Sequence, residues 1–266
     1  MVTSGLMEKI ASFEVRKSDV FVSSFPKSGT TWLQQVVYLL LHHADEAEDS
    51  EIMEWKFPYL EHIWPGLDEI ARRKDEPRLI KTHLPLHLLP EQVGEKGAKV
   101  IYIHRNPKDV IVSYYHFARM LTYVDFSGTL EDFAWLLMTD KLPYSPYFSH
   151  IGQYIEASRR MPRQYLAVSY EEMKLNPKAV IAKIAKFLQV PVDEEMLEDL
   201  AEQTSFEAMK ENPATNYSHW DKYGLRKKSE SPFMRKGQVG DYKNHFNAQL
   251  DQDVEEWIGL YSNPKE

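Results

Sequence analysis

Short apolar runs alternate with amphipathic stretches along the chain. Four brief runs that are rich in β-branched or aromatic residues are predicted as β-strands: 20–24, 78–81, 99–104 and 165–169. Apolar side chains between them recur every three or four positions, which predicts helices at 32–41, 107–121, 128–139, 147–160 and 176–188. Strands that alternate with helices predict an α/β fold, in which a central, mostly parallel sheet is flanked by helices. Ligands of such folds bind at the carboxyl ends of the strands.

The chain of 266 residues contains no cysteine and no linker rich in Gly, Ser or Pro. Its length suits one α/β domain, so we predict a single domain over residues 1–266. The lack of cysteine excludes disulfides, cysteine-ligated metals and thiol nucleophiles. The longest apolar runs have six residues, whereas a membrane span needs about 20. Residues 1–13 show no signal-peptide pattern, and we therefore expect a cytoplasmic protein.

Charge is distributed unevenly along this acidic chain, whose net charge is −8. Such a balance disfavours broad binding to nucleic acid or to an anionic membrane. Residues 44–54 and 192–202 each contain six acids and no base, and we expect both stretches to be solvated surface. Residues 225–243 instead carry a local charge of +4, which makes them the first place to look for a bound anion.

A loop suited to an anion follows the first predicted strand. It reads FPKSGTTW at 25–32. Gly29 permits a tight turn, and the first amide groups of the following helix point toward a ligand. Lys27 adds positive charge, and Thr30 and Thr31 add hydroxyl donors. The loop lacks the GxxxxGK[ST] order of a Walker A motif, so its spacing alone is compatible with a phosphate site or with an ordinary βα turn.

The string PKSGTTW resembles the 5′-phosphosulfate loop of the cytosolic sulfotransferases, which use 3′-phosphoadenosine 5′-phosphosulfate (PAPS). Further family motifs match in order: KTHLP at 81–85, RNPKD at 105–109 with Ser113, YEEM at 170–173, TSF at 204–206 and PFMRKG at 232–237. The resemblance covers about residues 18–246, which we take as the core of the domain. It implies an enzyme that moves a sulfuryl group from PAPS to a hydroxyl or amine of a small, hydrophobic or phenolic acceptor.

The resemblance implies catalytic roles for His83, Lys27, Lys81 and Ser113. Negative charge builds on the leaving oxygen during sulfuryl transfer, and Lys27 would stabilise it. His83 would accept the proton of the acceptor, since an imidazole is largely neutral near pH 7. Among ten histidines, only the KTHLP context singles out His83. His104, which lies in a predicted strand, is expected to be a packing residue. No metal is implied, because lysine and arginine supply the positive charge.

The same resemblance implies two sets of binding residues. Arg105, Ser113 and the 235–237 loop would hold the 3′-phosphate, and Trp32 and Phe206 would stack on adenine. The set for PAPS and its product 3′-phosphoadenosine 5′-phosphate (PAP) is Lys27, Ser28, Gly29, Thr30, Thr31, Trp32, Arg105, Ser113, Tyr170, Thr204, Ser205, Phe206, Phe233, Met234, Arg235, Lys236 and Gly237. The set for the acceptor is Phe21, Tyr59, Lys81, His83, Phe117, Tyr144 and Tyr217.

Two departures from the family pattern bear on the partners of the protein. About 18 residues precede the first predicted strand, fewer than relatives carry, so we expect a more open acceptor pocket. The family dimer motif, Lys-x-x-x-Thr-Val-x-x-x-Glu, keeps its lysine at Lys243 but has Asn247, Ala248 and Gln252 at the other key positions. The sequence therefore does not predict a family-type homodimer.

Other functions stay compatible with these residues. A phosphoryl-transfer P-loop enzyme would need magnesium and ATP, and the missing GK[ST] argues against it. A binding protein without turnover, or a relative whose chemistry has moved toward dehydration, would keep the nucleotide site. The intact Lys27 and His83 favour a catalyst.

Overall fold

The computed structural model describes residues 4–42, 51–62 and 65–262. Over these ranges the strands are β1 (Val20–Ser24), β2 (Leu79–Thr82), β3 (Lys99–His104) and β4 (Tyr165–Ser169). The helices are α1 (Ser4–Ala11), α2 (Thr30–His42), α3 (Met53–Lys56), α4 (Leu67–Arg72), α5 (Gln92–Lys96), α6 (Pro107–Met120), α7 (Leu130–Met138), α8 (Tyr147–Arg160), α9 (Tyr170–Leu175), α10 (Pro177–Leu188), α11 (Glu194–Gln203), α12 (Phe206–Glu211) and α13 (Ala248–Ser262). Short 3₁₀ helices lie at Leu86–Leu88, Ser218–Asp221 and Asp241–Asn244.

The four strands form one sheet in the order β2-β1-β3-β4. Every pair is parallel, with Val22 opposite Lys81 on one side and opposite Ile101 on the other. The predicted α/β fold with a parallel sheet is therefore confirmed. Three strands have the predicted bounds, and β2 begins and ends one residue later than predicted.

The five predicted helices form as α2, α6, α7, α8 and α10, each within two residues of its predicted bounds. Their starts follow capping rules. The Asn106 side chain accepts a hydrogen bond from the amide of Lys108, and Pro107 occupies the first helical turn. Thr129 and Asp132 form a reciprocal capping box at the start of α7.

The core lies on both faces of the sheet because successive strand residues point to opposite sides. Val22 packs with Leu33 of α2 and Ile184 of α10. Phe21 points the other way and packs with Ile80 of β2. The sheet is thus covered by helices on both faces, as parallel sheets require.

The second acidic stretch is solvated surface, as predicted. It forms α11, in which Glu194 and Glu198 are exposed and pair with Lys178 at 2.5 and 3.2 Å. Residues 44–50 of the first stretch lie outside the described residues, but Glu54 at its end does not lie on open surface.

The carboxyl ends of the strands bring the predicted motifs together at one edge of the sheet. Lys27 follows β1, His83 follows β2 and Arg105 follows β3. Tyr170 follows β4 and begins α9. Parallel register explains how segments that are distant in sequence form one site.

Candidate active site

The loop after β1 is held in a conformation that few residue types adopt. Lys27 has φ +67° and Gly29 has φ +107°, both in the left-handed region that favours glycine. A Cβ on Gly29 would lie 2.8 Å from Cδ2 of Tyr170, so the loop packs directly on the start of α9. The hydroxyls of Ser24 and Thr30 lie 2.6 Å apart, which ties the strand end to the first turn of α2.

His83 is buried, with 8% of its surface exposed. Its Nδ1 lies 2.7 Å from the carbonyl oxygen of Ser24. A carbonyl only accepts, so Nδ1 carries the hydrogen of the neutral ring and Nε2 keeps the lone pair. Burial, and next the charge of Lys81, lower the pKa of His83 well below its usual value. The ring is therefore neutral at physiological pH.

A buried carboxylate that the sequence analysis missed holds the His83 segment. Glu61 is 2% exposed. It accepts from the backbone amide of His83 at 2.6 Å and from the hydroxyl of Thr82 at 2.9 Å. Burial raises the pKa of Glu61 to about 7, although these two hydrogen bonds oppose the rise. No local pattern distinguishes this glutamate, because its partners come from another part of the chain.

Positive charge is concentrated around Lys27. Its ammonium lies 4.2 Å from the ring centre of Phe117 and 4.1 Å from that of Phe233, which are cation–π distances. Burial lowers the pKa of Lys27 to about 7, assisted by the charges of Lys81, Arg105 and Arg235. Mutual repulsion among these cations would be relieved by an anion.

Arg105 is oriented by contacts that leave one of its donors unused. Its guanidinium lies 4.2 Å from the ring centre of Tyr170 and donates to the carbonyl of Gln238 at 2.7 Å. Its Nε is buried and has no hydrogen-bond partner among the described residues. A buried donor without a partner points to a missing acceptor, and an anion would supply one.

Two aspartates hold the basic loop at residues 233–241. Asp241 accepts from Arg235 at 2.6 Å and from Lys236 at 2.8 Å. Burial alone would raise the pKa of Asp241, but the hydrogen bonds from Lys236, Asn244 and Arg235 outweigh it and hold the pKa well below its usual range. Asp109 of the RNPKD motif accepts from the amides of residues 240 and 242 at 2.7 and 3.1 Å. Residues 235–242 of the +4 stretch are therefore tied to α6 and to one another by hydrogen bonds.

Aromatic rings line the part of the site next to this loop. The rings of Trp32 and Tyr170 meet edge to face at 5.4 Å. Gly237 has φ +62°, and a Cβ there would lie 2.2 Å from Cδ2 of Phe206. Only glycine lets the basic loop approach Phe206 this closely. The hydroxyl of Thr204 donates to the carbonyl of Leu200 at 2.7 Å.

A second aromatic region surrounds His83. The Tyr59 and Tyr144 hydroxyls lie 3.0 Å apart, and the two rings lie 5.3 and 5.6 Å from the His83 ring. The Lys81 ammonium lies 4.6 Å from the ring centre of Tyr59, and burial lowers the pKa of Lys81. Tyr217 packs on Phe233 at 4.1 Å. The imidazole thus faces flat apolar surfaces with two hydroxyls nearby.

One continuous cavity of about 1400 Å³ joins these regions. Most of the residues predicted for the site line it: Lys27, Gly29, Thr30, Thr31, Trp32, Tyr59, Lys81, His83, Arg105, Ser113, Phe117, Tyr144, Tyr170, Thr204, Phe206, Tyr217, Phe233, Met234, Arg235, Lys236 and Gly237.

Three predicted residues do not line the cavity. Phe21 is fully buried in the core, where it packs with Ile80. Ser28 is fully buried, and Ser205 caps α12 by accepting from the amide of Ala208 at 3.2 Å. His104 also lies away from the cavity, as expected of a packing residue. Glu54, His62 and Trp220 line the cavity without having been predicted.

A family model described as "Sulfotransferase domain" matches residues 17–263. The chain belongs to the sulfotransferase family. Mouse sulfotransferase 1B1 is 42% identical over 244 residues, which cover 90% of this chain and 81% of the relative. Bovine sulfotransferase 1E1 is 37% identical over 248 residues, which cover 91% and 83%. The predicted family and the predicted transferase class are confirmed.

Solved sulfotransferase-family structures have the same fold. Retinol dehydratase in complex with androsterone and inactive cofactor PAP superposes with a TM-score of 0.89 at 27% identity, covering 97% of this chain and 84% of that one. Mouse sulfotransferase SULT7A1 complexed with PAP superposes with a TM-score of 0.79 at 29% identity, covering 100% and 91%. The cation-lined cavity of this chain is consistent with a nucleotide site in this fold.

Within residues 4–42, 51–62 and 65–262, no group of three or more His, Asp or Glu side chains is arranged to hold a metal ion. None of the helices in this part of the chain has both the length and the apolar character to cross a membrane.

Proposed function

We propose that the protein transfers a sulfuryl group from PAPS to a hydroxyl or amine of a small, hydrophobic or phenolic acceptor. The observation that carries the proposal is the orientation of His83. Its Nδ1 donates to the Ser24 carbonyl at 2.7 Å, so Nε2 holds the lone pair. A neutral imidazole with a free nitrogen beside a cavity is suited to act as a general base.

The residues of the cavity fit the polyanionic donor PAPS. The Nε of Arg105 has no acceptor among the described residues. The charges of Lys81, Arg105 and Arg235 act on Lys27. A bound anion would supply the acceptor and reduce the repulsion. The loop after β1, Arg105 and Ser113 of α6, and the 235–237 loop would hold the phosphates. Trp32 and Phe206 would flank the base. PAP is present in the structures of retinol dehydratase and mouse SULT7A1, which supports the same nucleotide here.

The residues around the reacting atoms have different roles in the transfer. PAPS, when bound, supplies the sulfuryl group. His83 Nε2 takes the proton from the acceptor hydroxyl as its oxygen bonds to sulfur. Lys27 meets the negative charge that develops on the phosphate oxygen as its bond to sulfur breaks. The Phe117 and Phe233 rings, whose centres lie 4.2 and 4.1 Å from the Lys27 ammonium, keep it in place.

The acceptor end supports a flat, hydrophobic molecule with a hydroxyl group. Aromatic rings from distant segments surround His83, and Lys81 lies on the face of Tyr59. A phenol placed here would present its oxygen to His83 and its ring to Tyr59 and Tyr144.

Dehydration is a second candidate outcome, favoured by the TM-score of 0.89 to retinol dehydratase. Sulfate is a good leaving group, so after transfer the sulfate ester of an unsaturated alcohol could break its C–O bond, release sulfate, lose a proton from carbon to water and yield an alkene. The two outcomes share the first step. They differ in whether the sulfate stays on the organic product.

The test is transfer of labelled sulfate from PAPS to phenols, steroids, alcohols and amines, with and without EDTA. We expect a labelled ester in the presence of the chelator, whereas free sulfate with an alkene would indicate dehydration. His83→Ala should abolish turnover and leave PAP affinity near that of the unmodified protein. His87→Ala, at a nearby exposed histidine, is the control and should retain activity. Tight PAP binding without transfer to any acceptor would contradict the proposal.

A further inference from the structure

A carboxylate that no part of the proposed reaction uses lies in the cavity wall. Glu54 belongs to α3, and its Oε1 accepts from Nε1 of Trp220 and from Nε2 of His219, both at 2.9 Å. These partners belong to the 3₁₀ helix Ser218–Asp221. Glu54, His219 and Trp220 all line the cavity. Two segments far apart in sequence thus fix one carboxylate at this place.

The charge of this carboxylate acts on Lys81, but its second oxygen is not used by the described residues as a hydrogen-bond acceptor. Oε2 of Glu54 is buried and has no hydrogen-bond partner among the described residues. Nδ1 of His219 is buried and unpartnered in the same part of the structure. A buried carboxylate oxygen without a donor is costly, and Oε2 in the cavity wall points to a ligand that brings one.

A continuous aromatic wall connects this carboxylate to the reacting end of the cavity. The Trp220 ring lies 6.3 Å from Phe117 and 5.7 Å from Phe233. Those two rings hold the Lys27 ammonium. An acceptor that lies along this wall would have its reactive oxygen near Lys27 and His83 and its other end near Glu54.

We propose that Glu54 binds a protonated amine at the far end of the acceptor. The proposal rests on the sulfuryl transfer proposed above and specifies its acceptor class. An ammonium carries several donors, no acceptor and a positive charge, so it suits the unpartnered Oε2 of a carboxylate better than a neutral hydroxyl does. The rings of Trp220 and Tyr217, whose centres lie 4.7 Å apart beside the carboxylate, also suit a cation.

The test uses phenols that carry an alkyl chain at the 4-position, ending in a methyl, a hydroxyl or a primary amine, at several chain lengths. At pH 7 and the best length, we expect the amine to exceed the methyl compound in kcat/KM by about tenfold or more, the size of a charge-assisted hydrogen bond. Glu54→Gln should remove this preference and leave the methyl compound within about twofold. The exposed Glu95→Gln is the control and should keep the preference.

Several results would overturn the assignment of Glu54. The assignment is wrong if the amine shows no advantage at any chain length or if the hydroxyl compound is preferred. It is also wrong if Glu54→Gln slows the methyl and amine compounds equally. Calorimetric binding of the same compounds to the PAP complex separates this inference from the proposed reaction. An amine preference that Glu54→Gln abolishes would support the subsite even if no sulfate is transferred, and equal binding of all three compounds would contradict it.

Discussion

Burial shifts three titratable side chains of the cavity toward their neutral forms. Burial lowers the pKa of Lys27 to about 7 and that of His83 well below its usual value, and it raises the pKa of Glu61 to about 7. Only His83 gains chemically from being neutral, because a base needs its lone pair. Lys27 needs its charge during transfer, so its free and ligand-bound states should differ in protonation.

We expect PAP binding to depend on pH through Lys27. An anion favours the charged ammonium, so binding raises the Lys27 pKa from about 7 and takes up a proton. Affinity should be highest below pH 7 and fall by up to about tenfold per pH unit above it. Calorimetry from pH 6 to 9, in buffers of different ionisation enthalpy, measures both affinity and proton uptake.

Lys27→Met is the control for this pH dependence. It should bind PAP more weakly at pH 6 and lose the proton uptake that Lys27 provides. Proton uptake that is equal in the variant and the unmodified protein would assign the effect to another group.

The residues of the site were predictable to different degrees. Lys27, His83 and Arg105 lie in continuous motifs, so the local sequence identifies them. Glu61 contacts residues 21 and 22 positions away, and Glu54 contacts residues 165 and 166 positions away. Only folding creates those pairings. Phe21 does not reach the cavity because it is the second residue of β1, short of the carboxyl end of the strand, and is fully buried in the core.

Among the elements, α6 and the loop that follows Phe233 depend on one another. Asp109 in the first turn of α6 accepts from two amides of residues 240–242. The neighbouring Lys108 pairs with Asp251 and Glu255 of α13, both at 2.6 Å. The turn that positions Arg105 therefore also holds the basic loop and the last helix.

Asp109→Asn should weaken PAP binding by about tenfold with a smaller effect on kcat, because the amide replaces one acceptor by a donor and loosens the loop that carries Arg235. Titration calorimetry and steady-state kinetics measure the two effects. Asp251→Asn is the matched control, since Glu255 still pairs with Lys108, and should leave PAP affinity unchanged. Equal losses in both variants would show general destabilisation.

The sequence predicts the long elements better than the short ones. Strands β1, β3 and β4 are compact apolar runs, and α6 and α8 are 14 residues each, long enough to show a helical period. Helices α3 and α5 have four and five residues, so the 3.6-residue period does not repeat within them. Both α3 and the 3₁₀ helix Ser218–Asp221 carry cavity residues, which explains why part of the acceptor end was missed.

At the scale of the whole molecule, the site gathers positive charge inside an acidic protein. The net charge is −8, yet Lys27, Lys81, Arg105 and Arg235 act on one another within one cavity. The field at the cavity therefore has the opposite sign to that of the molecule as a whole, which favours a small, highly charged anion over an extended one. The cytoplasmic location and the lack of a family-type homodimer stay predictions from the sequence.

PAP should stabilise the whole fold, because its proposed contacts come from α2, α6, α12 and the basic loop. At 100 times its Kd, mass action gives about 2.7 kcal/mol, or a rise in Tm of roughly 5–10 °C for a domain of this size. Thermal unfolding with PAP and with 5′-AMP at equal concentration measures it. AMP lacks the 3′-phosphate and should raise Tm less. Equal shifts would contradict the assignment of Arg105 and Arg235 to that phosphate.

The contact between His83 and Ser24 has a consequence for how the base tolerates change over evolution. In many enzymes a side-chain carboxylate orients the catalytic histidine and is lost when that residue is replaced. Here the orienting acceptor is a main-chain oxygen, which every amino acid at position 24 would supply. The tautomer of the base is thus encoded in the path of β1, and it is robust to point mutation as long as the strand keeps its register.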